Sequence, residues 1–437
     1  MTDQNASNSR TTRRRFLQTA AAAATAAGVA MPMIIPRSAL AAPGKPGANE
    51  RVTVGAIGVG NRAKLLLQQL PEGGQIVALS DCNLPRAEEF KASKKADWPV
   101  IQDYRKLLER KDIDAVIVGT GEFQRVLPCI HAVQAGKDVY AEKPLTLYIK
   151  EGRVLVDAVR KADRVFQVGT QQRSMEMNRV ACEAVRSGAL GKLLEVRAVN
   201  YTGANPSPPN GFPGQTPPAG LDWNMWLNQG AERPYAPQWM GWMGWRDFAG
   251  GEMTNWGAHG VDQIQWALGA DGTGPVELRS VTKGQNGQVS MKYASGVEVH
   301  FSIEGGKGPH GGAIFVCEKG KIEINRNKFT TNPPEIAKEL LKKVDIAEEE
   351  RKWSDALALW QARWHMQNWL DCIKTRQKPI ADVEIGHRSV TVCHLANITR
   401  ALGRDLKWDP AKEQFVGDAE ANALVDRPRR KGFELPS

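Results

Sequence analysis

The sequence predicts an α/β protein with two domains. The first, over residues 51–172, is a parallel sheet with helices on both faces; the second, over residues 173–437, is a larger α/β domain with a large, mostly antiparallel open sheet. In the first region short apolar runs alternate with helical segments, which is typical of repeated β-α-β units. From about residue 190 strands follow one another directly, and many alternate polar and apolar side chains, which favours antiparallel pairing. A chain of 437 residues is also too long for one ordinary core.

Apolar runs and their spacing place the individual elements. Predicted strands of the first domain cover residues 52–57, 75–80, 115–118 and 165–168, and its predicted helices cover 65–70, 84–95, 124–135 and 147–162. In the second domain the predicted strands cover residues 193–201, 276–282, 288–293, 297–303, 313–318 and 321–324, and the predicted helices cover 253–268, 356–375 and 387–402. The Pro and Gly residues of 203–220 predict a long loop.

The composition is that of an ordinary globular protein, with 42% hydrophobic and 24% charged residues. The net charge is +10, of which residues 1–41, with five Arg and one Asp, contribute a net +4. The remaining Lys and Arg residues are scattered among acids, which indicates a solvated surface and argues against nucleic-acid binding. The six cysteines form no C-x-x-C pair and none lies near a His at metal-ligand spacing, so the sequence predicts neither a disulfide framework nor a metal site.

The N-terminal segment predicts export. Residues 10–18 read R-T-T-R-R-R-F-L-Q, with a twin-arginine pair at Arg13 and Arg14, and an Ala-rich stretch and the small residues of Ala39-Leu40-Ala41 follow. This pattern is typical of a signal peptide for the twin-arginine export machinery over residues 1–41, followed by a Pro/Gly linker over 42–50. The apolar stretch is short and Ala-rich, so we expect no stable membrane insertion and a periplasmic or otherwise exported protein.

The first βα turn carries a nucleotide-binding fingerprint. It reads V-G-A-I-G-V-G-N-R-A, in which Gly58, Gly60 and Ala63 form G-x-G-x-x-A. The first Gly permits the tight turn, the second lets the backbone approach a pyrophosphate, and the third small residue lets the helix pack on the strand. Asp81 closes the second predicted strand, where a carboxylate accepts from ribose hydroxyls. The pattern predicts a Rossmann domain, and the alternative is a purely structural glycine turn.

The expected cofactor is NAD, because the carboxylate of Asp81 repels a 2′-phosphate; Arg86 leaves NADP possible. Asn61 and Arg62, at the start of the helix after the turn, are further predicted cofactor contacts. The twin-arginine route carries folded proteins, and a cytoplasmic cofactor must be acquired before export. We therefore expect the cofactor to be held tightly.

Several segments of the chain resemble one family. The segment A-G-K-D-V-Y-A-E-K-P-L, which contains Glu142, Lys143 and Pro144, resembles the E-K-P segment of the glucose–fructose oxidoreductase/inositol dehydrogenase (Gfo/Idh/MocA) family. The resemblance continues through V-G-T-Q-Q-R-S at 168–174, G-G-E-M-T-N-W-G-A-H-G-V-D at 250–262 and the C-terminal part of the chain. It implies an NAD(P)-binding Rossmann domain, a carbohydrate substrate, and a second domain whose open sheet is often used for oligomer contacts, here a homo-oligomer such as a dimer or tetramer.

The resemblance also implies roles for the E-K-P segment. Lys143 takes the place of the lysine that lies beside the nicotinamide and the substrate hydroxyl, where an ammonium stabilises developing alkoxide charge. Glu142 is a predicted cofactor contact, and Pro144 fixes the turn, often through a cis bond. The alternative for Lys143 is a surface lysine before a proline.

The helix after Gly250 departs from the family pattern. Relatives carry D-x-x-x-H, one helical turn apart, and His259 matches the histidine that accepts the hydroxyl proton. The aspartate position is Asn255, which cannot take a proton, so the usual relay is in doubt. We expect Asn255 and His259 to contact substrate. Asp262 is expected to be a further catalytic acid, which orients the proton relay or takes the place of the missing aspartate. The alternatives are a structural histidine and a structural aspartate.

A second departure lies at residues 119–125, G-T-G-E-F-Q-R, where relatives often read T-P-x-x-x-H. Gly121 stands for the Pro and Arg125 for the His. Because this segment normally lines the nicotinamide, Thr120 is a predicted cofactor contact and Glu122 a weaker one.

Tryptophans and one arginine are candidate substrate contacts. Indoles stack on the apolar faces of sugar rings, and seven of the thirteen Trp fall within 44 residues: Trp223, Trp226, Trp239, Trp242, Trp245, Trp256 and Trp266. We expect half of them in the core and half in the substrate wall, with Trp245 as a substrate contact and Arg173 as a contact to the substrate or the nicotinamide. Tyr201 and His310 are weaker candidates.

Three functions are compatible with these residues. The leading hypothesis is hydride transfer between bound NAD and a sugar or polyol hydroxyl. The second is a redox-assisted glycoside hydrolase, lyase or epimerase that uses its cofactor only transiently. The third is a non-catalytic sugar-binding protein, which Asn255 leaves open.

Overall fold

The computed structural model describes residues 47–342, 344–351 and 360–436. The predicted signal peptide of 1–41 and most of the linker lie outside the described residues. Residues 51–437 form one compact unit. Of the preceding residues only 47–50 are described, with the short 3-10 helix Ala48–Glu50. None of the helices within the described ranges is long and apolar enough to cross a membrane.

A six-stranded parallel sheet forms the N-terminal part of the compact unit, with strand order β3-β2-β1-β4-β5-β6. Its strands are β1 (Val52–Ile57), β2 (Gly74–Ser80), β3 (Val100–Ile101), β4 (Ala115–Val118), β5 (Asp138–Ala141) and β6 (Phe166–Val168). Its helices are α1 (Asn61–Gln68), α2 (Leu84–Ser93), α3 (Tyr104–Leu108), α4 (Glu122–Gln134) and α5 (Ile149–Ala162). The predicted parallel Rossmann sheet is confirmed. Strands β4 to β6 are buried at every position, as expected for strands covered on both faces.

A nine-stranded sheet forms the second part, with order β13-β12-β11-β7-β10-β9-β8-β14-β15. Its strands are β7 (Leu193–Asn200), β8 (Pro275–Ser280), β9 (Val289–Tyr293), β10 (Glu298–Glu304), β11 (Ala313–Cys317), β12 (Gly320–Asn325), β13 (Lys328–Asn332), β14 (Leu406–Asp409) and β15 (Gln414–Phe415). Strand β10 runs parallel to β7, and the remaining ladders are antiparallel. The predicted mostly antiparallel sheet is confirmed; β13, β14 and β15 escaped prediction because they are short and rich in polar residues.

Helices pack on one face of this sheet and form its core. They include α6 (Glu176–Arg186), α8 (Glu252–Ala267) and α12 (Val383–Leu402), which contact one another and the strands. The other helices of this part are α7 (Trp223–Leu227), α9 (Glu335–Leu341), α10 (Glu348–Arg351), α11 (Trp360–Thr375) and α13 (Ala419–Asn422). Helix α8 is buried along most of its length, so a polar side chain on it either finds a partner or faces a cavity.

Candidate active site

A cavity of about 550 Å³ opens at the carboxyl ends of the parallel strands, where α/β proteins bind their ligands. The first half of its wall consists of the glycine turn after β1, the ends of β2, β4 and β5, and the segments that follow them. The other half comes from α7 and the segment that follows it, from α8 and from the turn between β12 and β13. Predicted site residues in the wall are Gly58, Gly60, Asn61, Arg62, Asp81, Thr120, Glu122, Glu142, Lys143, Asn255 and His259.

The glycine turn has the geometry that a pyrophosphate requires. Gly58 has φ +80°, and a Cβ there would lie 2.8 Å from the Thr120 side chain and 3.0 Å from its backbone nitrogen. Gly60 precedes α1, and a Cβ there would meet no protein atom within 4 Å. Across the turn, a Cβ on Gly119 would come within 2.7 Å of Ala63 Cβ, so small residues hold α1 against β4. The space beside Gly60 and the free N–H groups of α1 fit an anionic phosphate.

The carboxylate of Asp81 stabilises the glycine turn by hydrogen bonds to the backbone. Its Oδ2 accepts from Val59 N at 2.8 Å, and its Oδ1 accepts from Asn83 N at 2.9 Å. Arg86 lies 3.6 Å from Oδ2 and lines the same cavity. Asp81 is only 4% exposed, and it therefore fixes the turn in addition to the predicted contact with a ribose.

The E-K-P segment brings Lys143 to α8. Arg62 Nε donates to Glu142 Oε1 at 2.9 Å, and the Lys143–Pro144 peptide is cis. Lys143 Nζ donates to Asn255 Oδ1 at 2.8 Å and to Asn255 O at 3.1 Å. Burial lowers the pKa of Lys143 to about 8, against the opposing charge of Glu142. The lysine is thus held by an amide, which orients it without supplying a negative charge.

His259 lies one turn after Asn255 on α8 and is 3% exposed. Its Nδ1 is buried and has no hydrogen-bond partner within the described ranges. Burial, and then the positive charges of Lys143 and Arg326, lower the pKa of His259 well below its ordinary value. The imidazole is therefore neutral at physiological pH and able to accept a proton.

Two predicted site residues, Asp262 and Arg173, lie outside the cavity wall. Arg173 Nε donates to Asp262 Oδ2 at 2.8 Å, and Asp262 Oδ1 accepts from Ser389 Oγ at 2.8 Å. Arg173 also pairs with Asp271 at 2.8 Å. Asp262 lies about 4.5 Å farther along the axis of α8 than His259, where the helix meets the segment that carries Arg173. The structure therefore places both residues in a buried ion pair rather than in the cavity wall, and the catalytic role of Asp262 and the substrate contact of Arg173 stay predictions.

The tryptophans divide between core and cavity. Trp226, Trp242 and Trp256 line the cavity. Trp245 does not: it packs edge-on against Trp239 and donates from its indole nitrogen to Gln238 O at 3.1 Å. Trp245 thus belongs to an aromatic cluster outside the cavity wall, and its contact with substrate stays a prediction. The weaker candidates Tyr201 and His310 also lie outside the cavity wall; the ring of His310 packs on Trp256.

The departure at residues 119–125 has a structural explanation. The guanidinium of Arg125 donates to the carbonyls of Thr120 and Pro144, so it joins the two segments that line the cofactor side of the cavity. Glu122 accepts from Gly250 N at 3.0 Å and from Thr254 Oγ1 at 3.1 Å, which ties the same segment to the start of α8. Burial raises the pKa of Glu122 to about 7.

Residues that the sequence did not single out complete the wall, and the most notable is Arg326 in the turn between β12 and β13. No local motif marks it. Its place beside Lys143 and His259 depends on the pairing of strands from a different part of the chain.

Two family profiles match the chain. The one described as "Oxidoreductase family, NAD-binding Rossmann fold" matches residues 52–170, and the one described as "Oxidoreductase family, C-terminal alpha/beta domain" matches residues 175–435.

Curated relatives match over part of their length. An inositol 2-dehydrogenase/D-chiro-inositol 3-dehydrogenase of Lacticaseibacillus casei is 30% identical over 151 residues, 34% of this chain and 44% of that protein. An alpha-N-acetylgalactosaminidase of Shewanella oneidensis is 30% identical over 207 residues, 43% of this chain and 45% of that protein. The chain thus spans less than half the length of these relatives.

Solved structures share the fold over most of the chain. An aldose-aldose oxidoreductase from Caulobacter crescentus has TM-score 0.55 and 17% identity, covering 82% of this chain and 99% of that one. A scyllo-inositol dehydrogenase from Lactobacillus casei, solved with NAD(H) and scyllo-inositol, has TM-score 0.55 and 16% identity over the same shares. With both profiles matched in order, the chain belongs to the Gfo/Idh/MocA oxidoreductase family, and its N-terminal part is the NAD-binding Rossmann domain of that family.

Proposed function

We propose that this chain is an exported oxidoreductase that transfers hydride between a tightly bound NAD and a carbon that bears a hydroxyl in a sugar or polyol. The observation that carries the proposal is the convergence of Lys143 and His259 on one cavity, which also contains the glycine turn. A cation that can hold an oxygen and a neutral base that can take its proton are the two groups that alcohol oxidation needs.

The cofactor fits the first half of the cavity. Gly58 and Gly60 leave room for the pyrophosphate at the start of α1, and Asn61 and Arg62 begin that helix. The other expected cofactor contacts are Asp81, Thr120, Glu142 and Lys143. The buried Oγ1 of Thr120 has no partner within the described ranges, which supports a ligand at this position. When bound there, NAD supplies the hydride acceptor.

The protein's own groups handle the hydroxyl. The ammonium of Lys143 donates to the reacting oxygen and stabilises the negative charge that develops as the C–H bond breaks. The neutral imidazole of His259 accepts the hydroxyl proton. Asn255 holds Nζ of Lys143 at 2.8 Å and so aims it. Burial lowers the pKa of Lys143 to about 8, and the neutral amide of Asn255 adds no negative charge that would raise it, so the proton of Lys143 is easily exchanged.

A redox-assisted glycoside hydrolase is the second candidate. The 30% identity with an alpha-N-acetylgalactosaminidase favours it, and so does the expected export, because a resident cofactor that is reduced and reoxidised within one turnover needs no external NAD. The two candidates share the residues that bind NAD and differ in whether reduced cofactor accumulates.

A sugar panel on the purified mature protein distinguishes the candidates. We expect the protein to carry nicotinamide absorbance as purified, and free sugars or polyols to reduce the resident cofactor. Release of an aglycone from glycosides without accumulation of reduced cofactor would support the hydrolase instead. Sugar binding without either reaction would establish a non-catalytic binding protein, and a cofactor-free preparation that binds NAD weakly would contradict the resident cofactor.

Export and assembly are separate parts of the proposal. Arg13 and Arg14 support passage through the twin-arginine machinery to the periplasm. The double change Arg13→Lys with Arg14→Lys should leave the protein in the cytoplasm, as measured by cell fractionation, and unchanged export would contradict this route. The nine-stranded sheet supports a homo-oligomer, and a monomer by light scattering would exclude it.

A further inference from the structure

An amide holds Lys143, and the two ends of an amide are chemically different. The side chain of Asn255 accepts hydrogen bonds through Oδ1 and donates them through Nδ2, although the two ends have nearly the same shape. Lys143 Nζ donates to Oδ1 at 2.8 Å and to the backbone carbonyl of Asn255 at 3.1 Å. If the amide turned over, Nδ2 would face an ammonium that can only donate. The position of Lys143 therefore depends on what fixes this amide.

The carboxylate of Glu252 fixes the amide. Asn255 Nδ2 donates to Glu252 Oε2 at 3.1 Å. Glu252 is the first residue of α8 and Asn255 follows three residues later, a spacing that places both side chains on one face of the helix. An ionised carboxylate only accepts hydrogen bonds, so it selects Nδ2 and leaves Oδ1 turned toward Lys143. Two hydrogen bonds in series thus connect the ammonium to the carboxylate.

The first turn of α8 is anchored by contacts that do not involve the side chain of Glu252. Gly250 N donates to Glu122 Oε2 at 3.0 Å, and Met253 N donates to Thr202 O at 2.8 Å. These contacts fix the backbone on both sides of Glu252. Removal of its carboxylate should therefore leave the backbone of this turn in place and release only the amide that the carboxylate holds.

Glu252 also accounts for the amide at position 255, where the family pattern has an aspartate. An aspartate there would bring a second carboxylate oxygen to about 3.1 Å from Glu252 Oε2, the present distance of Asn255 Nδ2. Two like charges at this separation repel each other. An asparagine avoids the repulsion because it donates to Glu252 and still accepts from Lys143. The departure at Asn255 and the presence of Glu252 are thus two parts of one arrangement.

We infer that Glu252 is a positioning residue, which holds the amide of Asn255 in the orientation that aims Lys143 at the reacting oxygen. This inference rests on the proposed function, in which Lys143 donates to the substrate hydroxyl. Glu252 is not among the residues that line the cavity, whereas Asn255 and Lys143 are, so Glu252 acts through Asn255. The alternative is that Glu252 only stabilises the N-terminal turn of α8, as acids in a first helical turn commonly do.

Two variants of Glu252 separate positioning from helix stability and from charge. Glu252→Ala removes the acceptor and releases the amide, so kcat for reduction of the resident cofactor should fall roughly 10-fold, the effect of one hydrogen bond, with little change in KM. Glu252→Gln loses the charge, but its amide oxygen still accepts from Asn255 Nδ2, and kcat should stay within about threefold of wild type. Equal losses of kcat in the two variants would overturn the inference, because charge alone would then explain them.

The ionisation of Lys143 provides a second measurement, which needs no sugar substrate. Acetic anhydride acylates only the neutral amine, so the pH dependence of this modification, followed by mass spectrometry on the peptide that contains Lys143, gives its pKa. The charged groups that act on Lys143 are Glu142, Arg62, Arg326 and Glu122, and all of them remain in the variants. In Glu252→Ala a turned amide disfavours the ammonium, which should lower the pKa by roughly one unit from about 8, and the change in Glu252→Gln should be smaller.

The contact itself is tested without removal of a carboxylate. Asn255→Asp brings two carboxylates together and should lower Tm. Glu252→Gln added to Asn255→Asp restores a donor between the two side chains and should recover Tm. A double variant that is no more stable than Asn255→Asp alone would show that the side chains do not meet, and would overturn the inference.

The control is Glu335→Ala, which removes an exposed acid from the first turn of α9, and it should change neither kcat nor the pKa of Lys143. A Glu252→Ala protein with lower Tm but unchanged kcat and unchanged Lys143 pKa would overturn the inference while the oxidoreductase stands. A lowered Lys143 pKa in Glu252→Ala that Glu252→Gln restores, in a protein whose cofactor no sugar reduces, would support the positioning and contradict the proposed function. No change in the pKa and no reduction would contradict both.

Discussion

Helix α8 takes part in two clusters of polar residues that differ in how their charges are balanced. Toward its C-terminal end, Asp262 is matched by the guanidinium of Arg173, which also pairs with Asp271. Toward its N-terminal end, Asn255 and His259 face Lys143, and no carboxylate stands where the family pattern has one. The first cluster places opposite charges in contact, and the second leaves a cation beside two neutral groups.

The difference in charge balance indicates a structural role for the Arg173–Asp262 pair and a reactive role for the cluster around Lys143. A buried ion pair with every oxygen and guanidinium engaged is rigid and costly to break. A lysine held by an amide, with a pKa of about 8, exchanges its proton near physiological pH. The two clusters therefore respond differently to substitution: changes in one should affect chemistry, and changes in the other should affect stability.

The largest expected effect is that of Lys143→Ala. Removal of the ammonium takes away both the donor to the reacting oxygen and the charge that stabilises it. We expect kcat/KM for cofactor reduction to fall by about 10³- to 10⁴-fold while Tm changes little. Stopped-flow measurement of nicotinamide absorbance in a single turnover checks this. Lys143→Arg keeps the positive charge but moves it, and its kcat/KM should fall less than that of Lys143→Ala. A Lys143→Ala enzyme whose kcat/KM is within tenfold of the wild-type value would contradict the role of Lys143.

The next effect is that of His259→Ala. Without a proton acceptor the oxidation should slow by about 10²- to 10³-fold at neutral pH. His259→Gln, which preserves much of the shape but cannot take a proton, should slow it as much. A His259→Gln enzyme that retains full activity would show that another group accepts the hydroxyl proton. As an independent check, small imidazole-like bases added to His259→Ala should restore part of its activity.

Asp262→Ala should act on folding rather than chemistry. It leaves the guanidinium of Arg173 buried without its main partner, and we expect a loss of about 3–5 kcal/mol in the free energy of unfolding, measured by denaturant titration. The folded fraction should keep kcat within about threefold. The paired change Arg173→Met with Asp262→Leu removes both charges and should recover most of the stability. A specific loss of kcat in a stable Asp262 variant would restore the catalytic role that the structure argues against.

The smallest but most diagnostic change is Asn255→Asp. It places a carboxylate about 2.8 Å from Lys143 Nζ, in the position of the present amide oxygen. An opposite charge at this distance favours the protonated lysine and should raise its pKa by roughly 1–3 units. The alkaline limit of kcat/KM should move up by the same amount. A pH profile that does not move would show that Lys143 does not set this limit.

Much of the fold follows from local sequence. Short β-α-β units impose the parallel strand order, and the G-x-G-x-x-A turn places Gly58, Gly60 and Asp81 at one edge of the sheet because parallel strands end together. The position of Lys143 in the cavity wall was predicted only from the resemblance of the E-K-P segment to the family. The strands β13 to β15 were missed because they are short and polar, and pairing within the sheet rather than propensity stabilises them.

The site was harder to predict wherever it depends on distant contacts. Asp262 lies near His259 on the helix, and its spacing does not reveal that Arg173 and Ser389 cover it. Arg326 enters the wall from a hairpin turn whose position depends on the register of β12 and β13. Sequence periodicity identifies a face of a helix, but which neighbour covers each turn of that face is decided by tertiary packing.

The pH dependence of kcat/KM for reduction of the resident cofactor by a competent sugar tests the central claim most directly. The claim is that a protonated Lys143 and a neutral His259 act together. His259 is neutral near physiological pH because burial lowers its pKa well below the ordinary value. Lys143, whose pKa is about 8, is protonated when the pH is below that value. The account predicts a plateau between roughly pH 6 and 7 and a decline above about pH 8. An activity that instead rises through pH 8 would make the neutral amine of Lys143 the base and would contradict the account.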